Sequence, residues 1–193
     1  MNLIMIGGRG AACATLPAIS TVSTLHVVGS NLDNLLLWRR NFILRKVDVA
    51  CHLLEPGHQY DLAFSEEKGI NFINLEDCAA ILLHPGINLI VAGLGGNTGT
   101  RIVRELSRAR TDVDKVLRFM LTMPFHFEGE TRGFRAKELT DDLGRRDIPF
   151  KVLHNQDLIR YIDAKFGIAD AFRLQDMQID QEIGSLMLKR TLV

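Results

Sequence analysis

Residues Gly93 to Thr100 read Gly-Leu-Gly-Gly-Asn-Thr-Gly-Thr. They follow an apolar run, Ile87-Asn88-Leu89-Ile90-Val91-Ala92, and precede a helix-compatible stretch, Ile102 to Leu106. Few folds are open to a buried strand that ends in glycines and then enters a helix. Glycines let the backbone come close to an anion, and the helix start offers unpaired N–H groups and the positive end of its dipole. The segment has the outline of a phosphate cradle.

The flanking sequence supplies the sheet such a cradle needs. Strands are predicted at Asn2 to Ile6, Leu25 to Val28, Val47 to His52, Ile87 to Ala92, Val116 to Met123 and Pro149 to Leu153. Helices are predicted at Leu32 to Arg40, Leu75 to Leu83, Ile102 to Ala109, Thr131 to Leu143, Gln156 to Lys165 and Ile168 to about Lys189. The pattern from Asn41 to Asn71 is weak, and Glu55-Pro56-Gly57-His58 marks a turn within it. The strands are apolar runs rather than alternating ones, and they alternate with helices. That combination predicts an α/β fold, a doubly wound and mostly parallel sheet covered on both faces. No repeat, low-complexity tract or linker divides residues 1–193, so one domain is expected.

Charge narrows the function. Lys plus Arg and Asp plus Glu both number 23, which leaves no basic surplus for a general nucleic-acid or anionic-membrane binder. Cys13, Cys51 and Cys78 lack metal-type spacing and read as reduced thiols. The start, Met1 to Ile6, has no basic leader and is interrupted by Gly7-Gly8-Arg9-Gly10, and no run reaches the ~20 apolar residues of a membrane span. A cytoplasmic protein is expected.

A second glycine turn, Gly7-Gly8-Arg9-Gly10-Ala11-Ala12, follows the first strand, and neighbouring strand ends can bring two such loops around one ligand. On its own the turn is equally a tight strand-to-helix connection with no ligand. It lacks the acidic residue after the second strand that a dinucleotide fold uses for the ribose, and no Gly-x-x-x-x-Gly-Lys-Ser/Thr loop is present.

Three blocks in order sharpen this. Gly95-Gly96-Asn97-Thr98-Gly99-Thr100 resembles the Gly-Gly-Gly-Thr-Gly-Ser/Thr signature of the tubulin and FtsZ superfamily. Met123 to Arg132 is similar to the Pro-Phe-x-Phe-Glu-Gly-x-x-Arg segment of bacterial FtsZ. Asn155 followed by Asp170-Ala171-Phe172 is similar to its Asn…Asp-Ala-Phe pair. The resemblance covers about residues 1 to 190, most strongly from Ile87 onward. It implies GDP or GTP as ligand. Gly8 and Gly10 would lie in the first loop, and Gly95, Gly96, Asn97, Thr98, Gly99 and Thr100 in the phosphate loop. Glu128 and Arg132 would face the ribose and phosphates, Asn155 the sugar or base, Phe172 the guanine ring, and Asp176 the base edge. The residues alone leave plainer roles open: Phe172 as core, Glu128 with Arg132 as a surface pair, Asp170 as a helix cap.

The departures matter equally. Arg9, Ala11 and Ala12 replace glycines and Asn in the first loop, and Gly29-Ser30-Asn31 lacks the carboxylate of the family's second loop, which leaves magnesium undecided. No counterpart of the loop that senses the terminal phosphate is found between Arg45 and Asn71, and Arg101 replaces a glycine after Thr100. The chain stops at Val193, before the family's catalytic carboxylates and second domain, so the expectation is no independent GTPase activity. Leu186, Met187, Leu188 and Leu192 would either fold back on the sheet or form an interface. Three roles follow: a nucleotide-binding regulator or cap of an FtsZ/tubulin-like filament, a nucleotide-free scaffold self-associating through its last helix, and, ranked last, an autonomous GTPase.

Overall fold

A computed structural model describes residues 1–8, 22–44, 46–55, 67–109, 115–162 and 166–191, with side chains to 185. The strands are β1 (Asn2–Ile6), β2 (Thr24–Gly29), β3 (Ala50–Leu54), β4 (Ile70–Ile73), β5 (Gly86–Gly93), β6 (Lys115–Met123) and β7 (Phe150–His154). The helices are α1 (Leu32–Leu44), α2 (Cys78–Leu82), α3 (Asn97–Arg108), α4 (Glu130–Arg145) and α5 (Ile168–Thr191). Two 3-10 turns cover His126–Glu128 and Asn155–Tyr161.

All seven strands form one parallel sheet in the order β4-β3-β2-β1-β5-β6-β7. The central strands are buried on both faces, which is why they read as continuous apolar runs. Leu3, Met5, Val27, Leu89 and Val91 pack with Leu35 and Phe42 of α1 and Ile179 and Ile183 of α5. On the opposite face Ile4, Ile6, Ile90, Ala92 and Leu121 pack with Ile102, Val103 and Leu106 of α3 and Leu139 and Leu143 of α4. Each fully buried Leu or Ile contributes about 1.5–3 kcal/mol through removal from water. The doubly wound parallel sheet expected from the sequence is the observed architecture.

Boundaries differ in instructive places. β3 begins at Ala50 rather than Val47, and β4, for which no strand was expected, straddles the end of the weak stretch at Asn71. The helix expected over Leu75 to Leu83 is a single turn, Cys78–Leu82. The helix expected from Gln156 is instead the 3-10 segment Asn155–Tyr161. Most consequentially, α3 starts at Asn97, so half of the glycine signature is helix and the open loop is only Leu94–Gly96.

One buried feature has no signal in the local sequence pattern. His26 Nδ1 lies 2.9 Å from His52 Nε2, and His26 Nε2 lies 3.1 Å from His84 Nε2. Ring centroids 5.1 and 5.2 Å apart, with interplanar angles of 28° and 23°, make this an end-to-end row rather than a face stack. His52 Nδ1 has no partner among the described residues. Protons placed so that His52 donates to His26 and His26 donates to His84 leave that atom a bare acceptor, not a stranded N–H. Burial, reinforced by the neighbouring ring, lowers His26 and His52 to a pKa of about 4.

Candidate nucleotide-binding site

The first four strands progress outward from β1 on one side and the last three progress outward on the other, so β1 and β5 form the switch point. Ligands of open parallel sheets lie at the carboxyl ends of the strands at that point. Ile6 is paired with Ala92, so Gly7 and Gly8 lie beside Gly93, where the glycine loop begins; the two residues are helical rather than the open loop expected from the sequence. Gly8 is exposed, and among the described residues nothing stands where its side chain would be. Arg9, Gly10, Ala11, Ala12, Cys13 and Pro17 lie outside the described residues.

Two glycines shape the second loop for separate reasons. Gly95 has φ +86°, and a β-carbon there would sit 2.8 Å from the Arg132 carbonyl oxygen, so the loop presses against the first turn of α4. Gly99 presses against Gly93: a β-carbon would collide with the Gly93 carbonyl oxygen. That contact seats the start of α3 on the end of β5. Gly95 N–H donates to Thr100 Oγ1 at 2.9 Å, a buried bond that braces the turn from within. Gly96 occupies the N-cap of α3 without a side-chain cap, and among the described residues nothing stands where its β-carbon would be. The first-turn amides of α3 therefore lack carbonyl partners within the helix, and among the described residues no side chain caps them at Gly96. Amides so arranged are suited to an anion.

Contacts run outward from this turn to the remaining residues singled out in the sequence. Thr98 Oγ1 lies 2.8 Å from Ser30 Oγ at the end of β2. Asn97 Oδ1 is 3.5 Å from Arg135 Nη1 on α4. Arg132, against Gly95, donates to Glu128 Oε2 at 2.7 Å, while Glu128 Oε1 accepts the Phe125 N–H at 2.9 Å. The Phe125 ring meets Phe172 edge-on, with centroids 5.7 Å apart. On α5, Gln175 donates to Asn155 Oδ1 at 3.0 Å in the interior. Asp176 is half-buried one turn beyond Phe172. A continuous series of contacts thus joins the glycine loop to Phe172, and α5 carries it on to Asn155.

Several plainer roles left open by the sequence are also met. Glu128 and Arg132 do pair, Phe172 packs beside the small cluster of Phe125, Leu158 and Ala171, and Asp170 Oδ2 accepts the Gly167 N–H at 3.1 Å at the start of α5. These contacts hold the side chains in place and leave the Phe172 ring half-buried rather than enclosed.

One contact has no sequence signal in the pattern around Glu55. Both carboxylate oxygens of Glu55, at the end of β3, accept from Arg101 at 2.7 Å. This bidentate bond holds the guanidinium even further above its ordinary pKa range. Gln175 was likewise missed, because a buried amide on a helix shows no periodicity of its own. Asp180 and Glu182 lie within α5, as expected, and Glu182 pairs with Lys151. Ser30 and Asn31 bring no carboxylate to the cradle, and Glu55 is occupied, so these residues do not form a metal-binding set. Among the described residues no group of three or more His, Cys, Asp or Glu is arranged to hold a metal ion, and no helix is long and apolar enough to cross a membrane.

Comparison with known proteins supports the same fold. No family model matches the chain. It is 30% identical over 181 residues to the cell division protein FtsZ of Magnetospirillum gryphiswaldense, covering 91% of this chain and 31% of that protein. It is 34% identical over 87 residues to FtsZ 2 of Rhizobium meliloti, covering 45% of this chain and 25% of that protein. Among solved structures it matches an empty FtsZ dimer of M. jannaschii with TM-score 0.59 and 17% identity, over 93% of this chain and 51% of that one. CetZ from Methanosaeta thermophila matches with TM-score 0.59 and 14% identity, over 97% and 54%. The chain therefore spans under a third of the length of these curated relatives and about half of the solved chains. With the signature at the switch point and these matches, the chain belongs to the tubulin/FtsZ superfamily and has the fold of the FtsZ nucleotide-binding domain.

Proposed function

We propose that residues 1–193 act as a single guanine-nucleotide-binding domain that regulates or caps an FtsZ/tubulin-like filament in the cytoplasm. The uncapped α3 N-terminus beneath Gly96, joined by contacts to Phe172, carries the reading. In it, the first-turn amides of α3 with Gly96, Asn97 and Thr98 hold the phosphates. Gly95, Gly99 and Thr100 give the loop its shape, and Gly8 and Gly10 are assigned to the same ligand. Arg132, oriented by Glu128, faces the phosphate and ribose. Asn155 contacts the sugar or base, Phe172 stacks on guanine, and the Asp176 carboxylate accepts from guanine N1–H and the exocyclic amine.

Hydrolysis is not part of the proposal. The carboxylates of Glu55, Glu128 and Asp170 are each engaged by an arginine, which leaves them poorly placed to orient an attacking water. Titration with GDP, GTP and ATP, followed by thermal shift, tests binding: guanine nucleotides should raise the transition, and Phe172→Ala should remove the rise. Sub-stoichiometric protein should suppress FtsZ assembly in light scattering and pelleting. Normal assembly at equimolar protein sinks the capping role.

A second reading has its own support. Several polar groups around the cradle pair with one another without a ligand, Arg101 with Glu55 and Gly95 with Thr100. A nucleotide-free scaffold that self-associates through α5 would use such a set. It predicts no thermal shift with any nucleotide and a concentration-dependent mass in solution.

A further inference from the structure

The proposed base contacts, Asn155 and Phe172, lie after β7 and on α5, whereas the glycine loop follows β5. A nucleotide laid between them directs its phosphate chain across the strand ends toward β1, β2 and β3. Two contacts mark the far end of that track. Ser30, after β2, meets Thr98, and Glu55, after β3, grips Arg101 one helical turn further along α3.

Glu55 is held there by the backbone. Its φ of +45° lies in the left-handed region that side-chain-bearing residues seldom adopt, and its N–H donates to the Ile73 carbonyl at 2.9 Å. The bidentate bond to Arg101 then fixes the carboxylate in direction as well as position. A third phosphate arriving here meets a carboxylate, and the guanidinium that could have received it is already taken.

We propose that Glu55 sets the phosphate length this site accepts: the Glu55–Arg101 pair closes the far end of the cradle, so the site favours nucleoside diphosphate over triphosphate. The inference rests on the guanine-nucleotide reading above.

Calorimetric titration of GDP and GTP into the full chain, with magnesium present throughout, tests it. The wild type should bind GDP about tenfold more tightly than GTP, and added salt should narrow the ratio, as expected for a half-exposed charge. Glu55→Gln and Glu55→Ala should each raise GTP affinity by about that factor and leave GDP within about twofold. Arg101→Gln, which frees the carboxylate, should widen the ratio. Melting temperatures should move by only a few degrees, because exposed ion pairs add little to stability. Equal binding of the two nucleotides by the wild type, or an unchanged ratio in both Glu55 variants, overturns this inference alone. A wild type that binds neither overturns the guanine-nucleotide reading and this inference with it.

Discussion

Gly99 rests directly on Gly93: the α-carbon of one is turned toward the carbonyl oxygen of the other, leaving no room for a side chain between them. This contact seats α3 on the end of β5 and aims its first turn at the switch point. Both partners are main chain, so neither can swing aside.

Gly99→Ala should therefore cost about 3 kcal/mol, in the range of overpacked cores. Urea denaturation monitored by circular dichroism checks this. A loss under about 1 kcal/mol would mean that α3 can slide on the sheet.

Gly96→Ala offers the contrast. Space around Gly96 is open and its φ of −81° suits any residue, so stability should stay within about 1 kcal/mol of wild type. Its cost should fall on nucleotide affinity, by about tenfold or more, because a methyl group would stand where an anion approaches the amides. Paired calorimetric and denaturation measurements separate the two effects.

The histidine row predicts acid sensitivity. His26 and His52 stay neutral in the folded protein down to a pKa of about 4, whereas in the unfolded chain they take up protons near 6.5. The unfolded state thus binds more protons between these values. The stabilisation is complete above about pH 6.5 and is lost as pH falls toward 4, at up to about 1.4 kcal/mol per pH unit for each proton. Urea midpoints measured from pH 7.5 to 4.5 should decline, and His52→Gln should flatten the decline. A midpoint independent of pH over this range would contradict the buried, neutral row.

Asn155 is braced by Gln175 in the interior. Asn155→Ala leaves the Gln175 amide without that acceptor and should cost about 1–3 kcal/mol, whatever its effect on binding. The double variant Asn155→Ala with Gln175→Leu should recover part of that loss in thermal melts. If stability is unchanged in the single variant, water has replaced the bond.

Much of this architecture was legible in local pattern. Apolar runs separated by helical stretches identified a parallel sheet because such strands are buried on both faces, and five of the six strands expected overlap observed ones closely. β3 was misplaced by three residues at its start, because Val47 and Val49 are apolar yet lie before the ladder. α3 was started late because Asn97, Thr98 and Gly99 have poor helix propensity, and the Gly93 contact that sets them in helix lies outside any local window.

By itself the sequence determined the order of elements, the glycine signature and the family, since these depend on residue type and spacing along the chain. Only the tertiary structure decided which polar groups are engaged. Glu55 meets Arg101 46 residues away, Ser30 meets Thr98 68 away, and His26 reaches His84 58 away. Each pairing depends on β1 lying beside both β2 and β5, an adjacency created when the sheet reverses its direction of growth. Propensity and periodicity act over a few residues, so they do not encode that neighbourhood; packing of the whole sheet does.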